Sequence, residues 1–306
     1  MTLPGDALSR AACAGAAAWL LMGGLGGCTS TTTTAAATTA AATTAAAQRE
    51  RGVDTRNAPR PAVAPAPATD SKDRVTASDE SEAAKRGRVR LELASAYFSR
   101  GQMTTALDEV KQAITADPSL AAAFNLRGLI YASLGDERLA EESFKRALQL
   151  SPQDADTMQN FGWYLCQQRR FAEADAWFVQ AIAVPRYSDT PRTLLTRGVC
   201  QARAGQWAEA ERTLLRSYAL EPDNPATAVN LAEVLYKRGD FDRARFYIRR
   251  VNGSADMTSA QTLWLAARIE HRLGNPQGVQ DFGAQLRSRF PQSRESTALD
   301  EERFDE

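Results

Sequence analysis

The amino-acid sequence predicts an all-α fold in which six helix-turn-helix repeats stack into a right-handed superhelix, after a signal segment and a disordered linker. Three observations support this prediction. A set of small, aromatic and helix-ending residues recurs with a 34-residue period between residues 87 and 293. Residues 29–80 contain almost no large apolar side chain, and residues 11–25 form an apolar run. The predicted domains are residues 1–27, 28–82, 83–294 and 295–306.

The apolar run at residues 11–25 reads AACAGAAAWLLMGGL. Because about 20 apolar residues are needed to cross a bilayer, the run suits the core of a signal peptide better than a membrane-spanning helix. It ends in LGGC at residues 25–28, which resembles the bacterial lipobox. The resemblance implies cleavage before Cys28 and lipidation of its thiol. Because Thr29 rather than Asp follows, it also implies anchoring in the outer membrane, facing the periplasm. The alternative is an ordinary secretory signal with an incidental cysteine.

Residues 28–82 are predicted to be a disordered tether. They include the tract TSTTTTAAATTAAATTAAA and the proline-rich stretch APRPAVAPAPATD. Such a segment buries too little apolar surface to offset its chain entropy. As a flexible coil it spans roughly 40 Å, so a passive spacer is the favoured interpretation and binding to the cell wall is the alternative.

The repeat is clearest in the middle of the chain, where each member of the set has a physical role. Gly128 is small where two helices approach, and Gly135 ends the first helix. Phe144 fills the core, and Pro152 stops the second helix before the next repeat begins. The full set is Gly128, Tyr131, Gly135, Ala140, Phe144, Ala147 and Pro152. This spacing is the tetratricopeptide pattern, a 34-residue helix-turn-helix unit.

The same positions recur on both sides of this repeat. The predicted repeats cover about residues 87–120, 121–154, 155–188, 191–224, 225–258 and 260–293. In the third repeat Arg169 replaces the turn glycine, and two extra residues follow it within VPRYSDTPRT. The sixth repeat is the weakest match, as a capping unit often is, and Gly283 is expected to loosen its second helix. The acidic tail, residues 295–306, is expected to fray.

Tetratricopeptide solenoids offer a concave groove lined by the first helix of each repeat. By resemblance to that family, positions 2, 5, 9, 12 and 13 of each repeat face the groove. The large apolar residues at these positions are Leu91, Phe98, Leu129, Trp163, Leu195, Val199 and Tyr236. Apolar patches with aromatic anchors are typical of protein-binding surfaces, so the groove is predicted to hold a hydrophobic segment of another protein. The alternative is that several of these side chains pack between repeats, above all Leu129 and Val199.

Two of the four cysteines remain once Cys13 leaves with the signal peptide and Cys28 carries lipid. Cys166 and Cys200 lie on successive first helices, which are neighbours in the stack. An even number of cysteines in an oxidising compartment favours a disulfide between them. Two separately buried thiols are the alternative.

The composition argues against several classes of function. The 37 basic and 37 acidic residues balance, so no clustered basic excess indicates nucleic-acid binding. His271 is the only histidine, whereas Ser-His-Asp catalysis, Cys-His catalysis and most zinc sites need one or more. We therefore expect no enzyme activity, no metal or cofactor and no small-molecule substrate.

Beyond the repeat spacing, residues 86–293 resemble the type IV pilus biogenesis and stability lipoproteins of the PilF/PilW family, known as pilotins. The resemblance rests on the start of the third repeat, NFGWYLCQ, on the two-residue insertion after it, and on the second cysteine in GVCQ. It implies a binding protein that brings the pilus secretin to the outer membrane and promotes its multimerisation there. An outer-membrane adaptor for a peptidoglycan enzyme or a periplasmic protease is the alternative.

Overall fold

The computed structural model describes residues 81–305, and this part of the chain folds into thirteen α-helices and one short 3₁₀-helix. The 3₁₀-helix, Ala255–Met257, lies between α10 and α11. The α-helices are α1 Glu82–Ser99, α2 Met103–Ala116, α3 Ala121–Leu134, α4 Glu137–Leu150, α5 Ala155–Gln167, α6 Phe171–Ala183, α7 Thr190–Arg203, α8 Trp207–Leu220, α9 Pro225–Lys237, α10 Phe241–Asn252, α11 Ala260–Arg272, α12 Pro276–Arg289 and α13 Arg294–Asp300.

The first twelve helices pack as six consecutive pairs, α1 with α2 through α11 with α12. The first helix of each pair also contacts the first helix of the next pair. The predicted all-α stack of six helix pairs is thereby confirmed. The signal segment, Cys28 and the tether up to residue 80 lie outside the described residues.

The two helices of a pair approach each other closely where a glycine of the first helix faces a large core residue of the second helix. This contact explains the fixed spacing between the two residues in the sequence. A Cβ atom added to Gly128 would lie 2.8 Å from the ring of Phe144, which is fully buried. The same relation holds between Gly198 and Leu214, where the corresponding distance is 2.6 Å. A methyl group at either glycine would force the core side chain out of place, so the helices meet at this depth only with glycine.

The turn between the two helices of a pair places one residue in the left-handed region. Five glycines hold this position, with φ between 67° and 80°: Gly101, Gly135, Gly205, Gly239 and Gly274. In the third pair Arg169 holds it, with φ of 61°. Glycine adopts this conformation without steric cost, whereas a side chain there costs roughly 1–2 kcal/mol.

Arg169→Gly is therefore expected to raise the free energy of unfolding by about 1 kcal/mol, because it relieves this strain at an exposed position. Arg169→Ala is the matched control, since alanine removes the long side chain but keeps a Cβ in the left-handed region. Urea denaturation of the three proteins measures the effect. Equal midpoints for the glycine and alanine variants would contradict the explanation.

Neighbouring pairs are also joined by charged side chains at a recurring position of the second helix. An arginine of the next pair binds each of these acids: Arg170 Nη1 to Glu141 Oε2 at 2.6 Å, Arg197 Nε to Asp175 Oδ1 at 2.7 Å, and Arg243 Nη1 to Glu211 Oε1 at 2.7 Å. The hydrogen bond from Arg170, and then that from Lys145, lowers the pKa of Glu141. These contacts fix how one pair sits on the next.

The C-terminal tail differs from its prediction, because residues 294–304 fold onto the sixth pair instead of fraying. Leu299 of α13 and the following Phe304 are 5% and 9% exposed, and both join a cluster with Leu263 and Leu286. Gly283 makes room for this packing, since a Cβ there would lie 3.0 Å from Leu299. The glycine that was expected to loosen α12 thus provides the docking surface for α13.

Candidate partner-binding groove

The groove predicted from the sequence is the face formed by the first helices α1, α3, α5, α7, α9 and α11. The residues predicted to line it do not all remain accessible. Leu91, Phe98, Leu129, Trp163 and Val199 are partly exposed, whereas Leu195 and Tyr236 are buried. The groove therefore differs between its two ends.

The α1–α5 end of the groove keeps its apolar residues partly open. Leu91 and Phe98 rest on the core between the first and second pairs, and Leu129 and Trp163 rest on the core between the second and third pairs. Each of them anchors one side to a rigid core and leaves the other side accessible. Preorganised aromatic surfaces of this kind are common anchors for a partner, because little side-chain entropy is lost on binding.

Trp163 also carries a cationic neighbour. The Arg203 guanidinium of α7 lies 4.8 Å from the centre of the Trp163 ring. An arginine within about 6 Å of an indole face is attracted by its ring quadrupole. The pair places an apolar surface and a positive charge side by side in the middle of the groove.

The two buried members correct the predicted list of groove residues. Leu195 is 6% exposed and packs in the core of the fourth and fifth pairs, which is the alternative that the sequence left open. Tyr236 is 7% exposed because it packs in the same core and against Phe241 and Arg268, and its hydroxyl lies 3.4 Å from the carbonyl oxygen of Phe304. Neither side chain is a free anchor in this conformation.

Sequence reasoning missed the α11 end of the groove. Trp264, Arg268, His271 and Arg272 occupy in the sixth repeat the positions that face the groove in the others. Applying the groove positions to the predicted sixth repeat, residues 260–293, would have found all four. Phe304 gave a weaker signal, because a single aromatic residue in an acidic tail does not reveal which surface it contacts.

Cys166 of α5 and Cys200 of α7 lie side by side at the junction that contains the two-residue insertion. Their Cα atoms are 5.9 Å apart, within the usual range for a disulfide, and the sulfur atoms are at bonding distance. The two residues are 1% and 3% exposed. The two cysteines join the successive first helices α5 and α7. Their oxidation in the isolated protein stays a prediction.

Tyr187, in the inserted segment, shapes the same junction. Its hydroxyl lies 3.1 Å from Asp156 Oδ1, 3.0 Å from Gln159 Oε1 and 3.2 Å from Thr193 Oγ1. Burial, reinforced by the Asp156 carboxylate, raises the pKa of Tyr187 to about 12, so the hydroxyl stays protonated. Tyr187 thus covers Gln159, which is 4% exposed, whereas Asp156 stays exposed at the groove edge.

The described residues show neither a metal centre nor a membrane span. Between residues 81 and 305 no three His, Cys, Asp or Glu side chains come together as metal ligands. Within the same part of the chain, no helix is both long enough and apolar enough to cross a bilayer.

Family models place tetratricopeptide repeats along most of the folded region. Models described as "Tetratricopeptide repeat" match residues 121–154, 155–184 and 201–267, and one described as "TPR repeat" matches residues 94–135. The comparison agrees with the helix pairs described above.

Two characterised proteins resemble the chain over almost the whole repeat region. The crystal structure of PilW, described as a widely conserved type IV pilus biogenesis factor, is 32% identical with a TM-score of 0.65. The match covers 70% of this chain and 97% of the PilW chain in that crystal structure. The type IV pilus assembly protein PilF of Pseudomonas aeruginosa is 25% identical over 206 residues, which are 67% of this chain and 81% of PilF. A solved structure of PilF superposes with a TM-score of 0.63 and is covered completely.

Proposed function

Since the chain belongs to the family of tetratricopeptide type IV pilus biogenesis proteins that includes PilW and PilF, we propose that it is the pilotin of a type IV pilus system. In this role it binds the pilus secretin through the groove, brings it to the outer membrane and promotes its multimerisation. It acts as a scaffold and not as an enzyme. The observation that carries the proposal is the partly exposed apolar row Leu91, Phe98, Leu129 and Trp163 at the α1–α5 end of the groove.

This row suits an extended or helical apolar segment. Its members come from three successive first helices, so a segment lying across them meets several anchors at once. Arg203, beside Trp163, adds a donor for a backbone carbonyl or an acidic side chain of the segment. Such a combination binds through a few aromatic contacts while the surrounding polar residues set orientation.

In this proposal the N-terminal region determines where in the cell the protein is located. Lipidation of Cys28 would hold the chain in the outer membrane, since several acyl chains together give stable anchoring where one alone does not. The tether of residues 29–80 would then let the repeats reach roughly 40 Å from the membrane surface. The proposal accounts for a folded scaffold joined to a lipid by a long polar segment.

The groove is tested by the double variant Phe98→Ala/Trp163→Ala. We expect at least a tenfold loss of secretin co-purified from solubilised outer membranes, because truncating aromatic anchors typically costs 2 kcal/mol or more each. The matched control is Val179→Ala/Phe246→Ala, which removes apolar side chains that are 45% and 62% exposed on second helices. Circular dichroism establishes that both variants fold.

The same strains test the biological role. In a deletion strain, secretin multimers in the outer membrane should fall and should return with the wild-type gene. They should not return with the groove variant or with Cys28→Ala. Undiminished multimers and normal piliation in the deletion strain would exclude the pilotin role. If the groove variant restored secretin multimers as well as the wild-type gene does, the secretin would bind to another surface of the protein.

A further inference from the structure

The α11 end of the groove already holds a peptide segment, which belongs to the chain itself. Phe304 lies against two aromatic rings of α11: its ring centroid is 5.3 Å from that of Trp264 and 4.2 Å from that of His271, with interplanar angles of 29° and 7°. It is 9% exposed. Trp264 and His271 occupy groove positions of the sixth repeat, so Phe304 sits where a partner's side chain would bind.

The main chain of the segment is also recognised. The carbonyl oxygen of Phe304 accepts a hydrogen bond from Arg268 Nε at 3.0 Å and lies 3.4 Å from the hydroxyl of Tyr236. The Arg268 guanidinium is itself placed over the Tyr236 ring, 4.7 Å from its centre. Bonds to a backbone carbonyl fix the position of a segment whatever its sequence, while the aromatic pocket selects the side chain.

Charge supplies a third element of recognition. Residues 300–305 read DEERFD, with four acidic side chains. One of them contacts a groove position, since Arg272 Nη1 lies 3.8 Å from Asp305 Oδ1, whereas Asp300 and Glu301 pair with Arg287 of α12 and Arg303 of the tail. An aromatic pocket with an arginine at its edge favours an acidic segment that contains one phenylalanine.

A turn at the end of α13 directs the segment towards the groove. Glu302 has φ of 54°, in the left-handed region that commonly ends a helix. Local backbone bonds hold this turn, since the amides of Glu302 and Arg303 donate to the carbonyl oxygens of Leu299 and Ala298 at 3.1 Å and 2.9 Å. The turn therefore belongs to α13, and the contacts of Phe304 are what hold the residues after it in the groove.

We propose that Tyr236, Trp264, Arg268, His271 and Arg272 form a second binding site, here named the tail site, for an acidic segment of a partner protein that carries a phenylalanine. Residues 301–305 occupy the tail site in cis and are displaced when the partner binds. The inference goes beyond the proposed function, because it concerns the opposite end of the groove and holds whatever protein binds at α1–α5.

The test uses a fluorescent synthetic peptide with the sequence of residues 299–305, LDEERFD, and fluorescence polarisation. An attached segment competes at an effective concentration that reaches the millimolar range for short connections, so the wild-type chain should bind the peptide weakly. Phe304→Ala, and a chain that ends at Asp300, should each bind it at least tenfold more tightly. Arg268→Ala in the shortened chain should abolish the gain, and a peptide with alanine in place of phenylalanine should not bind.

Two further measurements keep the result interpretable. Amide hydrogen exchange of residues 301–305 in the wild-type protein should accelerate when the peptide is in excess, and this measurement needs no variant to fold. Phe98→Ala/Trp163→Ala in the shortened chain should bind the peptide as the shortened chain does, so failure of the secretin proposal is separable from failure of this one. Equal binding by wild-type and shortened chains, together with unchanged exchange, would show that the tail is only a structural cap.

Discussion

Replacement of both Cys166 and Cys200 by alanine is expected to lower the free energy of unfolding by about 4 kcal/mol. The two residues are 34 positions apart, and closing a loop of this length restricts the unfolded chain by about that amount in the chain-entropy model. The link joins α5 to α7 at the junction that carries the two-residue insertion, where the regular repeat spacing is interrupted. It therefore stabilises the stack where the repeat pattern by itself is weakest.

Urea denaturation of the oxidised wild-type protein, the reduced wild-type protein and the double variant measures this effect. The reduced protein separates the loss of the link from the loss of two buried side chains, because it retains both sulfur atoms. Its unfolding midpoint should fall close to that of the double variant. Alkylation and mass spectrometry should find both thiols blocked in protein from an oxidising compartment. Free thiols there, or equal midpoints for the three samples, would contradict the prediction.

The repeats were predictable because each position of the pattern has a local cause. Gly135 is needed for a left-handed turn, and Gly128 is needed because the Phe144 ring lies against it. Both causes act within one repeat, so they appear in the sequence at fixed spacing. Arg169 shows the limit of the pattern, since the turn keeps its left-handed conformation even without glycine.

The tail was not predictable in the same way. Phe304 is held by contacts with residues 36 and 68 positions earlier in the chain, Arg268 and Tyr236, and no local pattern reports such separations. Its acidic neighbours are typical of a solvated tail when they are read alone. Tyr236 matched a groove position in sequence but is not exposed, because it packs in the core with Leu195 and its hydroxyl meets the tail.

The groove therefore has one open end and one occupied end. Leu91, Phe98 and Trp163 stay partly exposed, with only Arg203 placed over the Trp163 ring, whereas Phe304 of the tail packs against Trp264 and its carbonyl oxygen lies 3.4 Å from the Tyr236 hydroxyl. A partner that approaches the open end meets preformed apolar anchors. A partner that approaches the occupied end must displace the tail, so binding there carries an extra cost that the open end does not impose.

A buried carboxylate, that of Glu270, joins the fifth and sixth helix pairs through its contact with Arg249. Arg249→Leu, which removes this contact, is expected to lower the free energy of unfolding by about 3 kcal/mol. Glu270 of α11 is 1% exposed. Its Oε1 accepts hydrogen bonds from Arg249 Nη2 at 2.6 Å and Nε at 3.1 Å, and its Oε2 accepts one from Asn275 Nδ2 at 2.8 Å. Removing the arginine leaves a buried negative charge without its closest cation, and broken buried pairs typically cost 3–5 kcal/mol. The lower end of that range applies because Arg245 remains 4.0 Å away.

The interpretation is tested by a second substitution that removes the charge. Arg249→Leu/Glu270→Gln keeps an acceptor for Asn275 but buries no charge, so it should be more stable than Arg249→Leu alone by at least about 1 kcal/mol. Arg250→Leu is the matched control on the same helix, since its partner Asp223 is 92% exposed and surface pairs contribute little. Two results of urea denaturation would contradict this interpretation. One is an equal loss of unfolding free energy in Arg249→Leu and Arg250→Leu, and the other is a double variant that is no more stable than Arg249→Leu. A recovery would mean that Glu270 depends on Arg249 for its burial, and that the pair holds α11, with the tail site it carries, against α10.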